Sequence, residues 1–139
     1  MKAVAVKRMS AQIQSGKMIM SGTAARRDVL VVCLNGAQRD RFGQVFERRG
    51  LKAELVEDCR CGIEASLRDD VPMAVIMADG RDHYTGALIN ALRSRNPKPD
   101  VWLIGNPFNL CLSAIVLKHD VAVLPPTTTP DQFERMVFA

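Results

Sequence analysis

The sequence has few cysteines, no long apolar run and no glycine-rich phosphate loop, and each absence excludes a class of protein. Its four cysteines are Cys33, Cys59, Cys61 and Cys111. They are too few and too scattered for a disulfide framework, so we expect a reduced, cytoplasmic setting. No apolar run approaches the ~20 residues that span a bilayer, which predicts a soluble protein. Neither common phosphate-loop pattern is present.

Acidic residues are missing from the start of the chain. Residues 1–27 carry six lysines and arginines and no acid, whereas residues 28–139 carry 13 basic and 15 acidic residues. We therefore predict a basic N-terminal extension over residues 1–27 and one mildly acidic domain over residues 28–139. The extension is predicted to be a solvated leader or to pack on the domain. Contact with nucleic acid or an anionic membrane is the alternative.

From residue 28 onwards, short apolar runs alternate with segments of helical spacing. The predicted strands are residues 28–34, 51–56, 73–78, 100–104 and 121–124. The third run is apolar throughout, which is typical of a strand covered on both faces at the centre of a sheet. Five strands alternating with five helices predict a doubly wound parallel sheet in three α/β/α layers, with the flavodoxin-like strand order 2-1-3-4-5.

Capping residues set the predicted ends of several helices. Asn35 with Gln38 forms a capping-box pattern, Gly50 ends the first helix, and Thr129 precedes Pro130 at the start of the last helix. Within the second helix, the spacing predicts that Ile63 and Leu67 face inward.

Three landmarks within residues 28–139 resemble the receiver domain of two-component response regulators, the CheY-like family. They are Gly50 before the second strand, Gly86 eight residues beyond Ala78, and Pro126 after the fifth strand. The resemblance implies a signalling module whose chemistry lies at the carboxyl ends of the strands, where open α/β sheets place their sites.

The positions that would handle phosphate in such a receiver hold unsuitable residues. The resemblance aligns Cys33 and Leu34 with the acidic Mg²⁺-binding pair and Ala78 with the phosphoacceptor aspartate. It aligns Gly105 with the Ser or Thr switch residue and Pro125 with the charge-neutralising lysine. None of these five side chains can supply an oxygen ligand or a cation. We therefore predict a degenerate pseudo-receiver with no metal site, no cofactor and no enzymatic activity.

Two alternatives remain open. A shift of one residue in the third strand would place Asp79 at the acceptor position, with Asp82 near a metal, and would predict a phosphorylatable receiver. The chain could also be the regulatory module of a longer transcription regulator or kinase.

The fourth helix supplies the positive indication of function. Only Asn109 and Ser113 are polar between residues 108 and 117, so the helix is apolar around nearly its whole circumference. Leu110, Ala114 and Leu117 are predicted to face the sheet. The predicted outer set, which lies around the sides and on the outside of the helix, is Phe108, Leu112, Ile115 and Val116.

The resemblance implies that the surface of the fourth helix, fifth strand and fifth helix meets a protein partner or a second copy. The alternative is that residues 1–27 fold over this helix.

The remaining cysteines and histidines do not indicate a metal site or a catalytic site. Cys59 and Cys61 could be half of a metal site, but no second Cys or His pair stands at ligand spacing. His83 and His119 are isolated histidines without a nucleophile placed beside them in the sequence.

Overall fold

The computed structural model describes residues 27–68, 70–78, 83–95, 97–106 and 110–138, with only the backbone of residues 110 and 111. A five-stranded parallel sheet lies at its centre, in the order β2-β1-β3-β4-β5. The strands are β1 (Val29–Val32), β2 (Ala53–Val56), β3 (Met73–Met77), β4 (Asp100–Ile104) and β5 (Ala122–Leu124). The predicted fold class and strand order are confirmed.

Among the described residues, five helices cover both faces of the sheet. They are α1 (Gly36–Arg48), α2 (Cys59–Arg68), α3 (Thr85–Arg93), α4 (Leu110–His119) and α5 (Pro130–Phe138). Helices α1 and α5 pack on one face, and α2, α3 and α4 pack on the other. None of the helices within the described residues is long and apolar enough to cross a membrane.

The predicted caps are present. The side chain of Asn35 accepts a hydrogen bond from the Gln38 amide at 3.0 Å. Gly50 ends α1 in the left-handed region at φ +72°, which favours glycine because it has no Cβ. At α5, the Gln132 amide donates to the Thr129 hydroxyl at 3.1 Å, and the Thr129 amide donates to the Gln132 side chain at 2.9 Å.

Aromatic residues dominate the core beneath α1 and α5. Phe133 is fully buried and its ring packs edge-on against Phe42, Phe46 and Trp102, with centroids 5.7, 6.0 and 5.7 Å away. Such edge-to-face pairs contribute about 0.5–1.5 kcal/mol each beyond their burial. The sequence spacing of the phenylalanines in α1 and α5 thus fixes both helices on the same face.

Helix α2 corrects one prediction. Leu67 is 75% exposed, whereas Gly62 and Ser66 are buried. A Cβ on Gly62 would lie 2.9 Å from Cδ2 of Leu88. Because α2 approaches α3 this closely, small residues take the inward side and the larger Leu67 points to solvent. Ile63 is partly buried and packs against the core as predicted.

Candidate functional site

The carboxyl ends of β1, β3, β4 and β5 lie along one edge of the sheet because all five strands are parallel. The residues expected to mark a phosphate site follow these strands directly. They are Cys33 and Leu34 after β1, Ala78 after β3, Gly105 after β4 and Pro125 after β5. The fold therefore brings the predicted positions to a common edge.

After β1, the chain presents a buried thiol and an exposed leucine. Cys33 is 1% exposed, and its Sγ lies 3.3 Å from Sδ of Met77 and 3.4 Å from the carbonyl oxygen of Asn35. Burial raises the pKa of the Cys33 thiol, against a smaller lowering by the Asn35 hydrogen bond and the charge of Arg39. Leu34 is 61% exposed. Neither side chain offers the hard oxygen ligand that Mg²⁺ prefers.

Ala78, which follows β3, lies close to Gly105, which follows β4. The Ala78 amide donates to the carbonyl of Ile104 at 2.8 Å, and the Gly105 amide donates to that of Leu124 at 3.0 Å. Gly105 has a φ of +152°, and a Cβ built there would lie 2.6 Å from the Cβ of Ala78. The backbone at the end of β4 therefore approaches Ala78 more closely than a side chain on residue 105 would allow.

A cation lies beside the end of β1. The guanidinium of Arg39 donates to the carbonyl oxygen of Cys33 at 2.9 Å. In the part of the chain that the structure describes, no group of three or more His, Cys, Asp or Glu side chains could hold a metal ion. Asp79 and Asp82, on which the alternative of a shifted acceptor depends, lie outside the described residues.

Pro125 begins the segment that links β5 to α5. It is exposed, and its carbonyl oxygen accepts hydrogen bonds from the amide and the hydroxyl of Thr128 at 3.0 and 2.7 Å. These bonds close a tight turn after β5. Residue 125 therefore contributes a rigid turn at this edge, with no charge.

Helix α4 is rotated relative to the prediction. Leu112, Ile115 and Val116 are partly buried and pack against the core beneath α2, α3 and α4, whereas Ala114 is exposed and Leu117 is 83% exposed. The predicted outward facing of Leu112, Ile115 and Val116 is therefore wrong. The same holds for the predicted inward facing of Ala114 and Leu117.

The reason for the rotation lies in α3. A Cβ on Gly86 would lie only 2.5 Å from Cδ1 of Ile115, so Ile115 fills the space that this glycine leaves. Phe108, the fourth member of the predicted outer set, lies outside the described residues.

Exposed apolar side chains nevertheless occur on each element of the predicted partner surface. Leu117 on α4, Val123 on β5 and Met136 on α5 are 83%, 37% and 55% exposed. We call these three side chains the apolar trio. Strand β5 is an outer strand of the sheet, so α4, β5 and α5 border the same edge. A role for this surface in binding stays a prediction.

Cys59, Cys61 and His119 have contacts that are typical of structural residues. Cys59 is buried with its Sγ 3.6 Å from the Thr85 hydroxyl, and the Cys61 amide donates to the Asp58 carboxylate at 2.8 Å. Nε2 of His119 lies 2.6 Å from Oδ1 of Asn90, and His83 is exposed.

Sequence reasoning missed Met77, Arg39 and Met136. Because Val32 pairs with Ile76 across β1 and β3, the residues that follow, Cys33 and Met77, also lie side by side. The predicted strand order could have revealed that contact. The sequence does not distinguish Arg39 and Met136 from other helix residues. Only the packed structure shows that Arg39 lies beside the end of β1 and that Met136 is exposed on α5.

The sequence matches no protein-family model and no curated protein. Solved structures do match. A CheY-like response regulator receiver domain protein from Methanospirillum hungatei JF-1 superposes with a TM-score of 0.65 and 19% identity, over 79% of this chain and 90% of that one. The receiver domain of a Francisella response regulator gives 0.63 and 18%, over 80% and 93%. The Vibrio cholerae chemotaxis protein CheY4 gives 0.64 and 11%, over 80% and 95%.

Proposed function

We propose that this chain, whose fold is that of the CheY-like receiver domains, is a pseudo-receiver: a cytoplasmic signalling adaptor that works through protein contacts without phosphorylation. Aspartyl phosphorylation requires a carboxylate nucleophile, Mg²⁺ and positive charge that offsets the developing negative charge. The single observation that carries the proposal is the close approach of Ala78 and Gly105. An alanine and a glycine, neither of which has a side-chain oxygen, occupy the positions that the resemblance assigns to the acceptor and the switch.

The end of β1 supports the same proposal. A buried thiol in contact with a thioether is a poor ligand for Mg²⁺, which takes oxygen ligands. Arg39 adds a positive charge close to Cys33, and a cation there opposes the binding of a second cation. The proposed function is therefore binding, with no catalytic step assigned to these residues.

The runner-up function is a phosphorylatable receiver that uses Asp79. Incubation of the chain with acetyl phosphate and Mg²⁺, followed by intact-protein mass spectrometry, separates the two proposals. We expect no stable gain of one phosphoryl group. A gain that Asp79→Asn abolishes would overturn the pseudo-receiver proposal and establish the alternative.

The partner surface is proposed to be the face of α4, β5 and α5, centred on the apolar trio. Isolated exposed apolar side chains are normal on soluble proteins, so the support comes from their placement on three elements that border one edge. The occupant is a protein partner, a second copy, or the rest of a longer regulator.

A charge substitution with a matched control tests this surface. Leu117→Asp should weaken self-association or capture of a partner, because it places a charge in an apolar contact. Leu67→Asp is the control, since Leu67 is also a largely exposed helix leucine but lies on α2. Equal behaviour of the two variants and the wild type, in light scattering and in pull-down from a native extract, would reject the surface. Substitutions at Leu112 or Val116 are unsuitable because these residues pack against the core.

A further inference from the structure

A groove lies along β2, at the opposite edge of the sheet from β5. It has a volume of about 710 Å³ and is lined by α1, β2 and the chain just before β1. A Cβ on Gly43 of α1 would lie 3.0 Å from Cδ1 of Leu55, so the helix lies close over the strand. Leu51, Ala53 and Leu55 give the lining an apolar part. The groove therefore follows the outer edge of the sheet beside α1.

Strand β2 has an open hydrogen-bonding edge in this groove. The carbonyl of Val56 accepts a hydrogen bond from the Cys33 amide at 3.0 Å, on the β1 side. In a parallel ladder, alternate residues direct their backbone N–H and C=O to opposite sides of the strand. Ala53 and Leu55 therefore direct theirs away from β1, where no further strand of the described sheet lies. Each of these two residues offers one donor and one acceptor to an added extended segment.

The charges in the groove favour a basic occupant. Three acids line it: Asp40 and Glu47 on α1, and Glu54 on β2. The two bases in the lining are Arg27 and Lys52, and Nε of Arg27 lies 3.8 Å from Oε1 of Glu54. No ion pair within the described residues engages Asp40 or Glu47. The two acids of α1 are therefore available to an incoming positive charge.

The same charges disfavour a second copy of this chain at the edge. When two β2 strands pair in antiparallel fashion, the two-fold axis is perpendicular to the sheet, so the α1 helices of both copies lie on the same face. Asp40 and Glu47 of one copy would then approach the same acids of the other, and like charges repel. A lysine-rich or arginine-rich segment of a different protein meets opposite charge in their place.

We propose that this groove binds an extended, basic segment of a partner protein as an antiparallel strand beside β2. The antiparallel direction is the more stable per residue. Ala53 and Leu55 have their side chains on the α1 face, and residues directly opposite each other in such a ladder share a face. Alternate side chains of the segment therefore face α1.

This geometry defines the chemistry of the segment. Asp40 and Glu47 are separated by about 10 Å along the helix axis, and two residues four apart in an extended strand are separated by about 13 Å. Two basic residues four apart, with a small apolar residue midway, therefore match the two acids and the apolar part of the lining. This groove lies at a different edge from the proposed partner surface, and the inference does not depend on that function.

An NMR titration of the full chain with the peptide acetyl-Thr-Lys-Thr-Val-Thr-Lys-Thr-amide tests the proposal. Pairing should shift the amide signals of Ala53 and Leu55, which point into the groove. The amide of Glu54 is the internal reference because it points towards β1. The peptide with Pro in place of Val lacks the central backbone donor and should bind about tenfold or more weakly. The peptide with both lysines replaced by Glu should also lose binding.

Charge substitutions in the protein test the groove itself. Asp40→Lys with Glu47→Lys, both at exposed positions, should weaken binding of the lysine peptide about tenfold or more. Glu64→Lys with Asp70→Lys is the matched control, because it makes the same change in charge at two exposed acids that do not line the groove. The control should keep the affinity of the wild type within about twofold.

Each other outcome overturns the proposal. No shift at Ala53 and Leu55 at millimolar peptide would leave β2 an ordinary solvated edge. Equal binding of the Pro peptide would show that no ladder forms, and equal binding of the Glu peptide would reject the charge argument. Equal weakening by the two double variants would show that only net charge matters. Signals of Ala53 and Leu55 that move on dilution without peptide would identify a second copy as the occupant.

Discussion

Ala78 occupies the space that a side chain on Gly105 would need, since a Cβ on Gly105 would lie 2.6 Å from the Cβ of Ala78. Two neighbouring strands therefore end in backbone contact at the edge where the resemblance implies phosphate chemistry. The contact also has a consequence for stability.

Gly105→Ala should destabilise the fold by about 2–4 kcal/mol, from an unfavourable φ together with a steric overlap. Gly50→Ala is the control, because Gly50 also has a positive φ but has no neighbouring atom within 4 Å of a built Cβ, and it should cost about 1 kcal/mol. Urea unfolding measures both. In the Gly105→Ala background, Ala78→Gly should recover the steric part, and no recovery would show that the overlap is relieved elsewhere.

Truncation of the buried aromatic core should cost far more than loss of a surface ion pair. Phe133→Ala removes a fully buried ring and should lower the free energy of unfolding by about 3–5 kcal/mol. Arg41→Ala removes the Nη2 group that donates to both carboxylate oxygens of Asp131, at 2.9 and 3.0 Å. Both side chains are more than two-fifths exposed, so the loss should stay below about 1 kcal/mol. Equal losses in thermal or urea unfolding would contradict this ranking.

Cys33 should resist alkylation in the native protein. Burial hides its Sγ and raises the pKa of the thiol, so little thiolate is accessible at neutral pH. Iodoacetamide labelling at pH 8 with peptide mapping should show modification of Cys33 only when denaturant is added. Rapid labelling in the native state would show that the end of β1 opens readily.

Cys61 should respond to a single change at Asp58. The Asp58 carboxylate raises the pKa of the Cys61 thiol, chiefly through a side-chain hydrogen bond. Asp58→Asn removes the negative charge and keeps an oxygen that can accept from the Cys61 amide, so the helix cap is retained. Labelling of Cys61 at pH 8 should become faster while Cys33 is unaffected. An unchanged rate at Cys61 would contradict the electrostatic assignment.

The ring of His119 should titrate below its usual range. Desolvation is the main cause of the lowered pKa, and the charges of Lys118, Arg93 and Lys98 add to it. In an NMR titration of the ring protons, Lys118→Gln should raise the pKa towards 6.5, the unperturbed value. Because the unfolded chain binds this proton more readily, the contribution to stability is complete above the unfolded pKa and is lost as the pH falls below it. A pKa of His119 that is higher in the wild type than in Lys118→Gln would contradict the assignment of Lys118 as a charge that lowers it.

The fold could be predicted because local patterns agree with one another. Apolar runs, the Asn35 and Thr129 caps and the left-handed Gly50 mark element ends within a few residues of their observed places. An uninterrupted apolar third strand pointed to the centre of the sheet, where β3 lies.

The facing of α4 could not be predicted from its own residues. A helix that is apolar around its circumference has almost no preferred side, so its rotation is set by its neighbour. The space left by Gly86 on α3 selects Ile115 as the inward residue. Leu67 was misplaced for the related reason that Gly62 brings α2 close to α3. Both errors come from tertiary contacts between helices, which a single-helix pattern does not contain.

Strands β2 and β5 end the sheet on its two sides, with three strands between them. Four strand spacings separate them, about 19 Å, which exceeds the Debye length of about 8 Å at physiological salt. A charge substitution on either outer strand should therefore leave the electrostatic field at the other outer strand unchanged.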